Sequence, residues 1–121
     1  MRTRSKYGVR TDAAGKQRRT CDGILFASQR ECRRYGELKL LEKAGEISGL
    51  ECQPSFVLWA QRYPCQLVNM PVIVAKYIAD FRYYRRDGEL VIEDVKGVRT
   101  PLYRLKKRIT EVQYGIAITE I

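Results

Sequence analysis

The run from Tyr77 to Gly97 constrains the fold more than any other part of this chain. Tyr77-Ile78-Ala79-Asp80-Phe81-Arg82-Tyr83-Tyr84 and Val91-Ile92-Glu93-Asp94-Val95-Lys96 are rich in β-branched and aromatic residues, and Asp87-Gly88 between them is a turn signal. The stretch therefore predicts two antiparallel strands joined by a tight turn. Asp80 lies inside the first strand, and the triplet Asp94-Val95-Lys96 ends the second. A carboxylate within an apolar strand is costly to bury unless a metal or a paired cation compensates it.

Two registers are open. A two-residue loop, Asp87-Gly88, pairs Arg86 with Glu89 and sets Asp80 opposite Val95, on the face away from Asp94 and Lys96. A three-residue loop, Arg86-Asp87-Gly88 with glycine left-handed, pairs Arg85 with Glu89. Asp80 then faces Asp94 and Ile78 faces Lys96, so Asp80, Asp94 and Lys96 share one face while Glu93 points to the other. The second register makes chemical sense of the acids; periodicity alone does not choose it.

Around this hairpin the chain predicts a mixed α/β domain. Residues 1–20 lack periodicity, and a short strand is expected over 23–26. Ser28-Gln29-Arg30-Glu31 is a capping-box pattern opening a helix to about Ala44, with Gly45 as its C′ residue. A strand is expected over 50–58, edged by Pro54, then irregular chain over 59–71, a long strand over 72–84 and another over 89–96. Thr100-Pro101 starts a second helix with the apolar stripe Leu102, Leu105, Ile109 and Val112, ended by Gly115. A last strand over 116–119 completes a βαβ crossover. The order is α-β-β-β-α-β, an α+β mixed sheet with a helix on each side.

A chain of 121 residues is one domain with room for an apolar core. Its formal charge of +9 is unevenly spread: residues 1–20 hold seven Lys/Arg, Arg18 and Arg19 among them, against Asp12 alone. This predicts a flexible basic N-terminal arm over 1–20, ahead of a single domain over 21–121, and such an arm contacts nucleic-acid phosphates. The plainer reading is a solubilising tail. Cys21, Cys32, Cys52 and Cys65 contain no CxxC pair, and the chain has no histidine. That speaks against most zinc sites and against His-based acid–base catalysis; the cysteines are expected as reduced small hydrophobes. No apolar run has membrane-spanning length and no signal-peptide pattern is present, so the expectation is a cytosolic protein.

Two opposed carboxylates repel unless a cation sits between them, and oxygen ligands suit Mg²⁺ or Mn²⁺. Two acids and a lysine on a hairpin are what a metal-dependent phosphodiesterase needs, and the basic chain fits a polyanion. The plainer reading pairs Asp94 with Lys96 or an arginine as a surface ion pair. Glu31 lies with Tyr35 and Leu38 on the helical wheel and could complete a metal site, although the third position of a capping box is a standard place for a structural Glu. Glu42 falls on the same side. Arg99, Arg104, Lys106, Lys107 and Arg108 flank or line the second helix, whose N-terminus follows Lys96. Arg99, Arg104, Lys106 and Arg108 are candidate DNA contacts, and Lys107 is expected as ordinary polar face. The eight tyrosines offer stacking surfaces for bases, most of them more simply explained as core or rim.

With these pieces in view, the sequence resembles the PD-(D/E)XK nuclease superfamily. It is closest to a small phage and prophage family of resolvase-like endonucleases placed in it. The matching pieces are Gly23-Ile24-Leu25-Phe26-Ala27-Ser28 leading into Glu31-Cys32-Arg33-Arg34-Tyr35-Gly36-Glu37-Leu38, then Leu50-Glu51-Cys52-Gln53-Pro54, Tyr77-Ile78-Ala79-Asp80-Phe81, Glu93-Asp94-Val95-Lys96-Gly97 and Tyr103-Arg104-Leu105-Lys106-Lys107. The resemblance spans roughly residues 22–121 and rests on order and spacing rather than on any one motif. It implies a restriction-endonuclease-like αβββαβ core, Asp80 and Asp94 as metal ligands, Lys96 orienting the attacking water, and Glu31 as the first-helix glutamate. Ala79 departs from the proline of the nominal Pro-Asp pair, which shapes backbone and does no chemistry. A register shift would make Glu93 a ligand in place of Asp94.

The leading expectation is thus a Mg²⁺-dependent DNA endonuclease, acting on branched DNA or recombination intermediates in a bacterial host, with a homodimer supplying two centres. Its rivals are a non-catalytic nucleic-acid-binding module that keeps the fold, and a structural phage-assembly component. The intact Asp80, Asp94 and Lys96 set disfavours the first, and the basic arm disfavours the second.

Overall fold

A computed structural model describes residues 8–63 and 71–121. The expectations that fall on residues 1–7 of the basic arm, on residues 64–70 of the irregular chain and on Cys65 lie outside these residues. The elements, in order, are α1 (Ala13–Arg18), β1 (Thr20–Cys21), β2 (Ile24–Leu25), α2 (Gln29–Lys43), β3 (Ile47–Cys52), β4 (Ser55–Ala60), β5 (Val72–Ile78), β6 (Phe81–Arg85), β7 (Leu90–Asp94), α3 (Pro101–Tyr114) and β8 (Ile118–Glu120). A four-stranded sheet has the order β3-β6-β7-β8, and β1-β2 and β4-β5 are separate two-stranded ribbons. With both ribbons and α1 set aside, the remaining order is α2-β3-β6-β7-α3-β8. The fold is α+β with a mixed sheet, since β7 and β8 run parallel, as a crossover through α3 requires. By its internal contacts the chain divides into two units, Met1–Leu50 with Tyr83–Leu90, and Glu51–Arg82 with Val91–Ile121.

In the first unit, residues 8–20 are not the structureless arm expected of them. Asp12 caps α1, its Oδ1 accepting from the Gly15 N–H at 2.9 Å. Gly15 is buried, and a Cβ there would lie 2.4 Å from the Arg10 Cβ, so only glycine fits. Asp22 and Gly23, at φ 49° and 76°, turn β1 back on β2; two left-handed residues suit a two-residue hairpin. The Phe26 N–H donates to the Arg19 carbonyl at 2.9 Å, tying the segment to the start of α2. The signals are short, and a six-residue helix carries no periodic stripe, so composition outweighed them. In α2, Ser28 is the N-cap, as its capping pattern predicts, and Cys32, Tyr35 and Leu38 are buried. The hairpin tip takes the three-residue loop. The Arg85 N–H donates to Glu89 O at 2.8 Å and the Gly88 N–H to Arg85 O at 2.9 Å, with Gly88 at φ 91°.

In the second unit the core joins Phe56, Leu58, Tyr77, Ala79, Ile92, Tyr103 and Ile118. The strands expected over 50–58 and 72–84 are each broken in two. Gln53, left-handed at φ 54°, and buried Pro54 separate β3 from β4, while Ala79 and Asp80 separate β5 from β6. The two breaks face each other: the Gln53 N–H donates to Asp80 O at 2.8 Å and the Ala79 N–H to Pro54 O at 3.1 Å. Here both chains leave the four-stranded sheet and continue as the β4-β5 ribbon. Helix α3 has its expected ends, Thr100 Oγ1 accepting from the Tyr103 N–H at 3.1 Å and Gly115 left-handed at φ 65°. Its buried face is not the expected one. Leu102, Leu105 and Val112 are 61, 58 and 67 % exposed, and the helix buries Tyr103 and Thr110 with Ile109 partly covered. Tyr103 and Thr110 are tolerated there because their hydroxyls donate to Glu120 and to the Lys106 carbonyl.

Candidate active site

The break between β5 and β6 fixes the first acid. At Asp80 the backbone N–H donates to Glu93 O at 3.0 Å while the carbonyl accepts from Gln53, so both backbone groups are committed to neighbouring chains. Its carboxylate accepts the Val95 N–H at 2.6 Å, one residue beyond the end of β7. A carboxylate held this way has its orientation set by backbone rather than by a rotamer.

Asp94 is the centre of the arrangement. It ends β7 with no exposed surface. Its Oδ2 accepts from the Tyr77 hydroxyl, itself 3 % exposed. Its Oδ1 lies 3.0 Å from Lys96 Nζ as an ion pair, yet receives no properly directed hydrogen bond among the described residues. One oxygen of a fully buried carboxylate is thus satisfied by a phenol, and the other has only the pull of an ammonium. Buried acceptors are rarely left so. Burial, and then Asp94 beside it, push the Tyr77 hydroxyl's pKa far above its ordinary value, so it stays a proton donor.

Lys96 follows the end of β7 and is partly exposed. Its Nζ sits 4.4 Å from the centroid of the Tyr103 ring, a cation–π contact that helps hold it beside Asp94. The Tyr103 hydroxyl donates to Glu120 Oε2 at 3.0 Å, and Glu120 pairs in register with Asp94 across β7 and β8. Burial raises the Glu120 carboxyl, but hydrogen bonds from Tyr103 and Arg99 and the nearby Lys107 and Arg99 charges outweigh it and hold the pKa below the usual range. Beside Lys96 opens a cleft of about 270 Å³ whose walls include Lys76, Tyr77, Lys96, Tyr103 and Lys106.

The other expected residues are placed differently. Glu31 belongs to the first unit, where Ser28 Oγ accepts its N–H at 3.2 Å and its Oε2 accepts the Ala27 N–H at 3.0 Å, the work of a capping residue. Glu93 is 1 % exposed and precedes Asp94 in β7, so strand alternation turns it to the opposite face. Arg99 donates from Nε to Glu120 Oε2 at 2.8 Å, and Lys107 lies 3.4 Å from Glu120 Oε1. Arg104 and Arg108 are exposed and Lys106 half-buried. Arg18 and Arg19 end α1 in the first unit. Tyr77, Tyr103, Glu120 and Lys76 were not singled out as site residues. Alternation along an unbroken strand would put Tyr77 on the face away from Asp80, so its meeting with Asp94 depends on the break between β5 and β6 and had no sequence signal.

The described residues contain no group of three or more His, Cys, Asp or Glu side chains that could hold a metal ion. The candidate oxygen donors for a hard cation are the carboxylates of Asp80 and Asp94, each next to Val95 or Lys96 at the end of β7. Mg²⁺ uses one or two carboxylates and keeps several waters, and the under-bonded Asp94 Oδ1 is a suitable ligand atom. The profile of one protein family, described as protein of unknown function (DUF1064), matches residues 4–119. The chain belongs to the DUF1064 family. No curated protein and no solved structure gives a significant match to it. No described helix of this DUF1064 protein is long and apolar enough to cross a membrane.

Proposed function

We propose that this DUF1064 protein is a metal-dependent DNA endonuclease of the PD-(D/E)XK type, working in the cytoplasm of a bacterial host of phage or prophage genes. The observation that carries the reading is Asp94. It is a fully buried carboxylate with one oxygen that receives no hydrogen bond among the described residues, 3.0 Å from Lys96 and anchored by Tyr77. A structural ion pair alone would be expected to satisfy both oxygens. Asp80 and Asp94 would hold Mg²⁺ or Mn²⁺, which when bound supplies Lewis-acid polarisation of the phosphate and a more acidic water.

The protein's own groups do the rest. Tyr77 keeps its proton and fixes the Asp94 plane. Lys96 offers its ammonium to the negative charge that grows on the phosphate oxygens as water attacks, a contribution made mainly in the transition state. Lys76 and Lys106, on the walls of the adjoining cleft, hold neighbouring phosphates. Lys76 is exposed and Lys106 half-buried; neither reads a base edge, so binding is weakly sequence-specific. Substrates are branched DNA or recombination intermediates, and a homodimer places one centre on each strand.

The test is to incubate the protein with supercoiled plasmid and with a four-way junction, in Mg²⁺ and in EDTA. Cleavage only with Mg²⁺, abolished by Asp80→Asn and by Asp94→Asn with binding retained, is expected. Normal cleavage by both variants would overturn the assignment. The second reading, a non-catalytic DNA-binding module, draws on the missing third acid among the described residues. Tight binding with no cleavage under any metal would establish it.

A further inference from the structure

The first unit contains a concave cationic site that the proposed chemistry does not use. A cleft of about 340 Å³ has Arg10, Gly15, Arg18, Arg19 and Gln29 in its walls, together with Gly8 and Val9. Among the described residues no acid lines it. Arg10 donates to Asp12 at 2.6 Å, which accounts for one charge. This contact, with the Gly15 N–H, also holds the Asp12 carboxyl below its ordinary pKa. Arg19 donates from Nη1 to the Phe26 carbonyl at 2.6 Å, a neutral partner that leaves its charge uncompensated. Neither Arg18 nor Arg19 has an acidic partner among the described residues. The Nε atoms of Arg10 and Arg19 are both buried without an acceptor among the described residues.

Like charges gathered in a cleft, with donors unmet, are unfavourable in the free protein and are relieved by an anion. Guanidinium forks match the geometry of a phosphate oxyanion. The scaffold is specific: Gly15 leaves room where a Cβ would strike Arg10, and the Arg19 bond to Phe26 fixes one fork. We infer that this cleft is a second, non-catalytic binding site for a phosphate group, held by Arg10, Arg18 and Arg19 with Gln29 at its wall. The phosphate comes either from a nucleic-acid backbone or from a small phosphate compound. This inference does not depend on cleavage at Asp94.

The experiment uses the full chain in EDTA, where cleavage plays no part. Arginine Nε–H signals are followed by ¹⁵N NMR during titration with inorganic phosphate, with pyrophosphate and with a short DNA duplex. The double variant Arg18→Gln with Arg19→Gln is run in parallel, and Arg19→Lys serves as a charge-preserving control. The expected result is that the duplex moves the Arg10 and Arg19 signals and that the double variant binds it about ten-fold more weakly. Its log affinity should also depend less steeply on log salt, by about two ions. Arg19→Lys keeps the charge and loses the fork, so it should retain the salt dependence of the parent but bind more weakly than it. Movement with phosphate or pyrophosphate but not with duplex supports the site and makes its ligand a small phosphate compound. If none of the three moves these signals, or if the folded double variant binds each as tightly as the parent, the inference is wrong. Because Asp80→Asn and Asp94→Asn leave this cleft untouched, its failure and that of the nuclease reading are separable.

Discussion

At the residue scale, variants of Asp94 and Lys96 can separate a structural role from the chemical one proposed for them. Lys96→Met keeps the apolar stem, so folding should persist while single-turnover cleavage falls by roughly two orders of magnitude, the scale for losing a preorganised electrostatic group. A near-normal rate would reduce Lys96 to an ion-pair partner. Glu93→Gln should be much milder than Asp94→Asn; the reverse ranking would move the site to the other face. Tyr77→Phe strips the donor from a buried carboxylate and should cost about 2–4 kcal/mol in urea unfolding. Its pH dependence has a definite sign. Burial first, then the Asp94 and Glu120 contacts, raise the folded pKa of Tyr77 and Tyr103 above the ordinary value of 10.0. The unfolded chain therefore loses these protons first. Their stabilisation is complete below about pH 10 and declines as pH rises beyond it, by about 1.4 kcal/mol per unit for each group. Tyr77→Phe should remove one proton from that slope, measured by unfolding at pH 9 to 11. Sequence reading proposes Asp80, Asp94 and Lys96 because costly acids stand out in apolar strands. It passed over Tyr77 because a tyrosine in a strand already has a sufficient explanation as core.

At the element scale, terminal signals were legible and faces were not. Thr100-Pro101 and Gly115 bound α3, and Arg86-Asp87-Gly88 is the loop of its hairpin, because caps and turns depend on a few neighbouring atoms. The α3 stripe misled because hydrophobic periodicity records which residues tolerate burial, whereas the covered face is set by Tyr103 reaching Glu120. Leu105→Gln should then change stability by no more than about 0.5 kcal/mol, and Tyr103→Ala should cost about 3–5 kcal/mol. Equal effects would mean that α3 buries its leucines. The N-terminal segment gives the converse case. Deleting residues 1–20 removes α1, the Thr20 half of β1 that pairs with Leu25, and the Arg19 carbonyl that receives the Phe26 N–H. The midpoint of chemical unfolding should fall clearly, whereas a loose tail would leave it unchanged.

At the scale of the whole molecule, the order α2-β3-β6-β7-α3-β8 was readable, because each of those elements is long enough or capped well enough to declare itself. The β4-β5 ribbon inserted within it was not, because its boundaries are the facing breaks at Gln53-Pro54 and Ala79-Asp80, and each depends on the other chain. The outward leucines of α3 have a colloidal consequence. In dilute buffer, molecules carrying a formal +9 repel one another over about 10 Å at 0.1 M salt, but over only about 3 Å at 1 M. Salt removes that repulsion and leaves apolar attraction in place. The second virial coefficient from light scattering should therefore pass from positive to negative as salt rises, and Leu102→Gln with Leu105→Gln should keep it positive. Affinity for any polyanion weakens along the same axis, so the conditions that disperse this protein best are also those in which the proposed binding to DNA would be tightest.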